Sequence, residues 1–353
     1  MRPILLVAAG LLVTALVAAG VTLAVLQLQA RNNPQQVNLR PGVTLTEDSA
    51  IVQAAARARP AVVSVVTQQQ PALARGSGYL ATTDGYIVTS VNVIAGAGGM
   101  TVLIPGDAKT HEARLIDYDC QTGVAVVKID KVSGMPTLAF ADPTALVQGQ
   151  RIVAVGGPFD GSSVTPGYVS AMHRVVSIPN PSSTAQTIEL SDVIQTSVTI
   201  DAGTAGGPLL NVDGQVIGIA MQSQPVAGGR GFGLNVADVQ DDVQQILQTG
   251  QLVVSSLGAT STDLSPQLAS LSGLPAGSQL VVLDKGGPAA SAGLQAGDVI
   301  TQIDDVKLDA AHPLRLLLRS RFHPNQRVAV TYTRAGSSTQ TQLTLSGQHP
   351  NCA

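Results

Sequence analysis

The chain has 353 residues, enough for two domains that each bury a hydrophobic core. Only 12% of the residues are charged and the net charge is −3, so the sequence lacks the basic surface that a nucleic-acid-binding protein needs. Val, Ala, Gly, Thr and Gln are abundant and Trp is absent, a composition that favours short strands and tight turns over long solvated helices.

The amino terminus is predicted to be a membrane anchor. No charged residue occurs from Ile4 to Leu26, and a helix needs about 20 apolar residues to cross a bilayer. This run exceeds the apolar region of a secretory signal, about 7–15 residues, and no clear A-x-A cleavage site follows it. We therefore predict an uncleaved transmembrane signal anchor over residues 1–30. A linker rich in Pro, Gln and Asn follows over residues 31–47.

The segment 48–250 is predicted to be a β-rich domain. A short helix, capped by Asp48 or Ser49 and ended by Pro60, precedes the first strand. Short runs rich in Val, Ile and Tyr follow, several of them separated by Gly or Asp-Gly turn signals, a pattern typical of barrels and sandwiches. An amphipathic helix stopped by Gly250 closes the segment.

The most specific motif in this domain runs from Asp201 to Pro208, with the sequence DAGTAGGP. Its glycine spacing is typical of a loop that folds tightly, so that two backbone N–H groups point at one spot. In a serine protease the side chain between those donors is the serine that attacks a carbonyl. Here that position is Ala205, whose methyl group cannot form an acyl-enzyme. The motif therefore predicts an oxyanion hole from the backbone of Gly203 and Ala205, without a nucleophile.

Two further segments resemble the HtrA/Deg-type trypsin-like serine proteases. Residues 85–97, GYIVTSVNVIAGA, are similar to the histidine loop of that family, and residues 119–129, DCQTGVAVVKI, to its aspartate strand. The resemblance implies that Asn92 stands at the position of the general-base histidine and Gly123 at that of the orienting aspartate. With Ala205, all three triad positions are substituted. The resemblance also implies a mainly β fold of two packed six-stranded barrels with the catalytic cleft between them.

Each substitution removes a different part of the triad mechanism. Asn92 has no group that titrates near neutral pH, so it cannot accept a proton and return it. Gly123 has no carboxylate to orient an imidazolium. Loss of the nucleophile alone typically lowers turnover by about a millionfold. The sequence thus predicts a degenerate family member, a pseudoprotease.

Two alternatives from other classes stay open at this point. An active HtrA-type endopeptidase with a non-standard site would need Thr204 or Ser197 as its nucleophile and a histidine as its base, although no histidine stands in a recognisable catalytic motif. The histidines are His111, His173, His312, His323 and His349. A holdase-type chaperone would instead use both domains to hold unfolded chains.

The segment 251–348 resembles the PDZ domain of the same family. Residues 287–300, GPAASAGLQAGDVI, match the family pattern almost residue by residue, and the loop 256–259, SLGA, is similar to its carboxylate-binding loop. The resemblance implies that this loop holds a peptide's terminal carboxylate while the peptide adds as a strand to the edge of residues 279–283. The predicted peptide-binding residues are Ser256, Leu257, Gly258, Ala259, Leu280, Val282, Leu314 and Leu318. For each leucine, a place in the hydrophobic core is the alternative interpretation.

Together these features predict a membrane-anchored pseudoprotease that binds peptides or protein C-termini. Because the family works outside the cytoplasm, the resemblance places both domains on the extracytoplasmic side of a single-pass anchor. The expected role is that of a scaffold, adaptor or regulator in envelope protein quality control. HtrA-type proteins commonly form trimers, so a homo-trimer or a mixed oligomer with an active relative is an expected assembly.

No cofactor, metal or nucleic-acid partner is predicted. The two cysteines, Cys120 and Cys352, are far apart in the chain and do not have the spacing of a metal site. They could pair in an oxidising compartment, but sequence does not show whether their Cβ atoms meet.

Overall fold

The computed structural model describes residues 19–23, 46–69, 72–159, 161–180, 183–221, 231–309 and 312–350. The chain divides into two units, Met1–Leu45 and Thr46–Ala353. In the first unit residues 19–23 are helical, and the rest of the predicted membrane anchor lies outside the described residues. Within the part of the chain that the structure describes, no helix is both long and apolar enough to cross a membrane.

The first β-barrel is built from six strands rich in β-branched residues, which favour the pleated, half-buried surface of a sheet. The strands are β1 (Val62–Gln69), β2 (Ala72–Leu80), β3 (Tyr86–Ser90), β4 (Met100–Leu103), β5 (Thr110–Tyr118) and β6 (Val124–Ile129). They close in the order β1-β2-β3-β6-β5-β4. Strand β6, buried along its whole length, pairs with both β3 and β5 and so fixes the position of the loop before it.

A second closed barrel follows. Its strands are β7 (Arg151–Val155), β8 (Val164–Asn180), β9 (Ser183–Thr196), β10 (Pro208–Leu210), β11 (Val216–Met221) and β12 (Gly231–Asn235). They close in the order β10-β11-β12-β9-β8-β7, which confirms the predicted pair of six-stranded barrels. Strands β8 and β9 form a long hairpin whose register shifts several times. Each shift leaves residues unpaired and bends the hairpin.

Three α-helices accompany the barrels: α1 (Thr46–Ala58), α2 (Val91–Ile94) and α3 (Val236–Thr249). Short 3₁₀ turns lie at Arg59–Ala61 and Pro143–Ala145. Helix α1 begins earlier than predicted. It starts at Thr46, so the predicted caps Asp48 and Ser49 lie within its first turn. Helix α3 is capped by the side chain of Asn235, which accepts from the Ala237 N–H at 3.2 Å, and it ends as predicted at Gly250. Its apolar face packs into a core that both barrels share.

The described residues after helix α3 form a separate sheet with its own helices, in the segment predicted to be a PDZ domain. Its strands are β13 (Val254–Ser256), β14 (Ala259–Leu264), β15 (Gly277–Leu283), β16 (Val299–Ile303), β17 (Val306–Lys307), β18 (Arg327–Arg334), β19 (Ser337–Thr344) and β20 (Ser346–Gln348). Its helices are α4 (Pro266–Ser272), α5 (Pro288–Ser291) and α6 (Leu314–Ser320). The main sheet has the order β14-β15-β16-β18-β19, and β13 pairs separately with β20.

The sheet order corrects the prediction of which strand accepts a peptide. Strand β15 pairs with β14 along its length and with β16 at Ser278 and Gln279, so it has no free edge there for another strand. Strand β14 follows the Ser256–Ala259 loop directly, lies at the edge of the sheet and is exposed along most of its length. Because β-augmentation needs unpaired backbone groups, β14 is the strand that a peptide can extend.

Helix α6 of the PDZ domain contacts the barrels through buried ion pairs. The Arg319 guanidinium donates to the Asp119 carboxylate and, at 2.6 Å, to Oδ1 of Asp242. The Thr122 hydroxyl donates to the other oxygen of Asp242 at 2.9 Å. The two carboxylates and the guanidinium are thus paired and hydrogen-bonded, as buried charges must be.

Two carboxyl groups at this contact hold their protons unusually tightly. Burial raises the pKa of Asp238 to about 7, and the nearby Asp192 carboxylate adds to the rise against the opposing charges of Arg315 and Arg319. Burial also raises the pKa of Asp242 to about 7, although the Arg319 charge opposes it.

Thermal stability should therefore fall as the pH rises from about 4 to about 7. Both carboxyls have a folded-state pKa above that of an unfolded aspartate, so the folded state binds more protons in this window and loses that advantage as the pH rises. Melting temperatures measured between about pH 5 and about pH 7.5 give the slope. Asp238→Asn should flatten the slope, while substitution of the exposed Asp241 on the same helix serves as the control. An equal slope in Asp238→Asn and the parent chain would contradict this assignment.

Candidate functional site

Several backbone groups of the loop from Asp201 to Pro208 already have hydrogen-bond partners. The Asp201 side chain accepts from the Thr204 N–H at 2.8 Å, and the Asp201 carbonyl accepts from the Ala205 N–H at 3.0 Å. The Gly206 N–H donates to the Ala220 carbonyl at 2.7 Å. Of the two predicted oxyanion donors, the Ala205 N–H therefore already has a partner within its own loop. A substrate oxyanion would have to displace that partner before it could use this donor.

Ser77 of the first barrel holds this loop from the opposite side. Its hydroxyl donates to the Gly203 carbonyl at 2.5 Å and accepts from the Gly157 N–H at 2.7 Å. Its backbone N–H donates to the Ala205 carbonyl at 2.7 Å. One fully buried serine thus connects β2 to two segments of the second barrel.

The two barrels pack closely here, which leaves room only for small residues at positions 205 and 206 of the motif. Gly206 has a φ of +83°, and a Cβ at that position would overlap the Ser77 carbonyl and the Thr89 hydroxyl. Ala205 is 1% exposed, and its methyl group belongs to the same hydrophobic cluster as Val93. Ala205, at the predicted nucleophile position, is therefore part of a packed core.

The structure brings the three substituted triad positions together. Asn92 lies in helix α2, and the preceding Val91 N–H donates to the Gly123 carbonyl at 2.8 Å. Val93, on the other side of Asn92, lies against Gly206 beside Ala205. The Asn92 side chain is half-buried and forms no recorded hydrogen bond with another described residue.

A side chain at Gly123 would project toward apolar residues. It is buried, it has a φ of +81°, and a Cβ there would stand 3.0 Å from Leu234 Cδ2 and 3.2 Å from Leu190 Cδ1. Both leucines come from the second barrel, Leu190 from the long hairpin strand β9 and Leu234 from β12. A carboxylate at this position would lose its hydration between two hydrocarbon side chains.

The hydroxyl groups considered as substitute nucleophiles lack a base. Thr204 is buried, with its hydroxyl 3.1 Å from that of Ser163, and the Ser197 hydroxyl accepts from the Tyr168 N–H at 2.9 Å. Four histidine rings pair with carboxylates instead: His111 with Asp107, His173 with Asp192, His312 with Asp309 and His349 with Asp117. Among the described residues, no hydrogen bond joins a histidine ring to a serine or threonine hydroxyl.

The predicted carboxylate-binding loop of the PDZ domain has a defined backbone. Gly258 has a φ of +67°, which glycine adopts at little cost. Its N–H donates to the Ser256 hydroxyl at 2.9 Å, and that hydroxyl donates to Gln348 Oε1 at 2.8 Å. The Leu257 carbonyl accepts from the Ala289 N–H at 2.8 Å.

The apolar residues predicted to line the peptide pocket differ in their surroundings. Leu257, Leu280, Leu314 and Leu318 all belong to the buried PDZ core. Val282, near the end of β15, is 58% exposed. The structure brings Ser256, Gly258 and Ala259 to the start of the free edge of β14. The four leucines are therefore core residues in this structure, as the alternative interpretation expected.

Comparisons with known proteins agree with this architecture. A family model described as a trypsin-like peptidase domain matches residues 76–219, and one described as a PDZ domain matches residues 216–345. A probable periplasmic serine endoprotease, DegP-like, from Halomonas elongata is 36% identical over 281 residues, which are 76% of this chain and 56% of that protein. The serine protease Do-like HtrA of Lactococcus lactis subsp. lactis is 34% identical over 280 residues, 74% of this chain and 67% of that protein.

Solved structures show the same arrangement. The structure described as HtrA-type protease AlgW with decapeptide superposes with a TM-score of 0.68 at 28% identity, covering 85% of this chain and 99% of AlgW. The serine endoprotease from Yersinia pestis superposes with a TM-score of 0.64 at 26% identity.

The two closed barrels, the cleft loop between them and the appended sheet define a trypsin-like peptidase domain joined to a PDZ domain. The chain belongs to the HtrA family of these proteins. It spans about half the length (56%) of the Halomonas relative.

Sequence reasoning missed the residues that support the cleft. Ser77 and the Gly203 carbonyl that it contacts are 126 positions apart, so no local pattern connects them. Leu190 and Leu234 read only as apolar strand residues, and nothing in their spacing indicates that they meet Gly123. A serine within a predicted strand, next to a glycine, was the single available signal at Ser77.

Gly123→Ala should destabilise the chain more than Gly134→Ala. Both glycines have a positive φ, but Gly134 has open space where a Cβ would go, whereas Gly123 faces the two leucines. Each substitution should cost about 1–2 kcal/mol from the backbone alone, and crowding should add about 1–3 kcal/mol at Gly123. Urea denaturation with equal m-values measures the difference. Equal losses at the two positions would show that the leucines are not in contact with Gly123.

Proposed function

We propose that this chain is a membrane-anchored, extracytoplasmic HtrA-like pseudoprotease that binds peptides or protein C-termini through its PDZ domain. The observation that carries the proposal is the apolar packing around Gly123. Where the triad requires a carboxylate, the chain has a left-handed glycine enclosed by Leu190 and Leu234. The chain has no carboxylate at this position, and the two leucines would also disfavour one if it were introduced.

The other triad positions support the same proposal. Asn92 supplies no base, and the buried Ala205 supplies no nucleophile while its N–H is bonded to Asp201. The triple variant Asn92→His, Gly123→Asp, Ala205→Ser is expected to stay inactive. Its new carboxylate would have to be desolvated between leucines on a strained backbone.

Peptide binding is proposed at the free edge of β14. The edge offers unpaired backbone groups, and the loop from Ser256 to Ala259 lies at its start, where a strand added antiparallel would place its terminal carboxylate. The AlgW structure, described as holding a decapeptide, supports a ligand of this kind.

The cellular setting of the proposal rests on the amino terminus and on the relatives. The uncharged run from Ile4 to Leu26 supports an anchor, and the Halomonas relative is described as periplasmic. A scaffold, adaptor or regulator of envelope protein quality control is the proposed role. It would act as a homo-trimer or in a mixed oligomer with an active relative.

Active-site labelling tests the loss of catalysis. The full chain, purified in detergent, should neither react with a fluorophosphonate probe nor cleave casein, while an active HtrA protease does both. Labelling that Thr204→Ala abolishes would instead establish a rearranged catalytic site and overturn the proposal.

Peptide binding should depend on a free C-terminal carboxylate. A short fluorescent peptide with an apolar last residue should bind at least about tenfold more tightly as the free acid than as the amide, because charge-assisted hydrogen bonds contribute about 1.5–3 kcal/mol. Fluorescence anisotropy measures both affinities. Equal binding of acid and amide, together with suppression of client aggregation, would favour a holdase-type chaperone.

Gly258→Ala should weaken this binding, with Gly286→Ala as the matched control. Both glycines have positive φ, but a Cβ at Gly258 would lie 2.8 Å from Pro288 Cδ, whereas a Cβ at Gly286 would have open space around it. The first substitution must therefore shift the carboxylate-binding loop. Unchanged affinity in a folded Gly258→Ala variant would place the peptide elsewhere.

A further inference from the structure

The contact between helix α6 and the barrels has two buried carboxyl groups on one guanidinium nitrogen. Asp119, in the loop between β5 and β6, and Asp242, on helix α3, both accept from Nη2 of Arg319. The side chains of the two aspartates are 0% and 6% exposed, and that of Arg319 is 9% exposed. Because two carboxylates that share one buried site repel each other, this arrangement favours a bound proton.

Asp238 adds a third carboxyl group to the same contact. It lies one turn before Asp242 on helix α3, it is half-buried, and none of the described residues donates a hydrogen bond to it. The positive charges nearest to it are those of Arg315 and Arg319 on helix α6. Three carboxyl groups, with that of Asp119, thus face two guanidinium groups. If all three were ionised, the contact would bury a net negative charge, which is costly.

The other charged groups at the contact do not offset this excess. Asp192 of strand β9 faces Asp238, but it has its own partners, His173 Nδ1 at 2.5 Å and the Asn235 amide at 3.3 Å. Asp263 of strand β14 is exposed and faces Arg315, so it adds negative charge as well.

A cavity of about 320 Å³ lies at this contact, between helix α3, the segment before β13 and helix α6. Several of the charged groups line it, so water would reach them as soon as the two helices separated. The lining residues that matter here are Asp238, Asp241, Asp242, Leu316, Arg319 and His323.

We propose that helix α6 docks on the barrels as a proton-dependent contact, closed while the carboxyl groups of helix α3 carry protons and open when they ionise. This device does not depend on the proposed function. Opening leaves both domains folded, because the apolar face of α3 belongs to the barrel core and the leucines of α6 belong to the PDZ core. These leucines are Leu314, Leu317 and Leu318.

The direction of the pH dependence follows from the docked state. There, burial raises the pKa of Asp238 and of Asp242 to about 7. Once water reaches the two carboxyl groups, each pKa returns toward the ordinary aspartate value of about 3.9. The docked state therefore binds more protons than the open state between about pH 4 and about pH 7, and docking weakens as the pH rises through this range. The ratio of docked to open molecules should fall at least about tenfold from about pH 5.5 to about pH 7.5.

Tryptophan fluorescence tests the opening. The chain contains no tryptophan, so an introduced one is the only indole that emits. Leu316→Trp places the indole on helix α6 in the wall of the cavity. In the full chain in detergent, its emission should shift to the red and acrylamide should quench it more strongly at about pH 7.5 than at about pH 5.5. The same emission and quenching at both pH values would overturn the proposal.

A second reporter distinguishes opening from unfolding. Tyr332→Trp places the indole in the PDZ core on strand β18, away from helix α3. Its emission, and the far-ultraviolet circular dichroism of both variants, should not change over the same pH range. A red shift of this second reporter at the higher pH would show that the PDZ domain unfolds, and would contradict an undocking of folded domains.

Acidic and basic variants of the Leu316→Trp chain identify the groups responsible. Asp238→Asn should keep the docked emission to a higher pH than the parent chain, because the amide has no proton to lose. Asp241→Asn, at an exposed position of the same helix, is the matched control and should respond as the parent does. Arg319→Ala should show the open emission at both pH values, since it removes the buried ion pairs. An unaltered pH response in Asp238→Asn would overturn the proposal.

Histidine variants exclude another source of the response. Imidazoles also change charge between about pH 5 and pH 8. His173 pairs with Asp192, and His323 lines the cavity. In the Leu316→Trp chain, His173→Gln and His323→Gln should each keep the red shift. Loss of the red shift in either variant would assign the sensor to that histidine and contradict the role of the carboxyl groups.

Discussion

The contact between the two barrels at the loop from Asp201 to Pro208 depends on hydrogen bonds in which no predicted triad side chain takes part. The Ser77 hydroxyl bonds the Gly203 carbonyl and the Gly157 N–H, and the Ser77 N–H bonds the Ala205 carbonyl. These contacts join the two barrels beside Gly206, where a Cβ would overlap the Ser77 carbonyl and the Thr89 hydroxyl. None of these hydrogen bonds uses the side chain of Ala205, so an alanine at this position leaves every one of them in place.

The substituted positions differ in how far the surroundings have changed. Ala205 replaces a hydroxyl with a methyl group that packs beside Val93, a small change. At Gly123 the surroundings are those of a core, with two leucines from the second barrel and a backbone in the left-handed region. The loop Asp117–Gly123, which ends there, contacts the PDZ domain through Asp119.

The PDZ domain combines a free edge with a fixed helix. Strand β14 is available for an added strand, whereas helix α6 is held against the barrels by the desolvated charges of Arg319 and its partners. Asp238 and Asp242, which titrate near neutral pH because they are buried, lie at the same contact. The stability of the docked state and the protonation of this surface are therefore linked.

The sequence by itself determined the two barrels and the PDZ domain, through motifs that resemble those of the HtrA family, and the end of helix α3, through the stop signal of Gly250. The predictions of the start of helix α1 and of the peptide-accepting strand were wrong. Local sequence patterns do not determine the exact ends of helices or the order of strands in a sheet. Only the tertiary structure decided that Leu190 and Leu234 enclose Gly123, that the Ala205 N–H is already bonded, and that Arg319 docks on Asp119. Each of these contacts joins residues far apart in the chain, so burial and pairing depend on how the barrels and the PDZ domain pack.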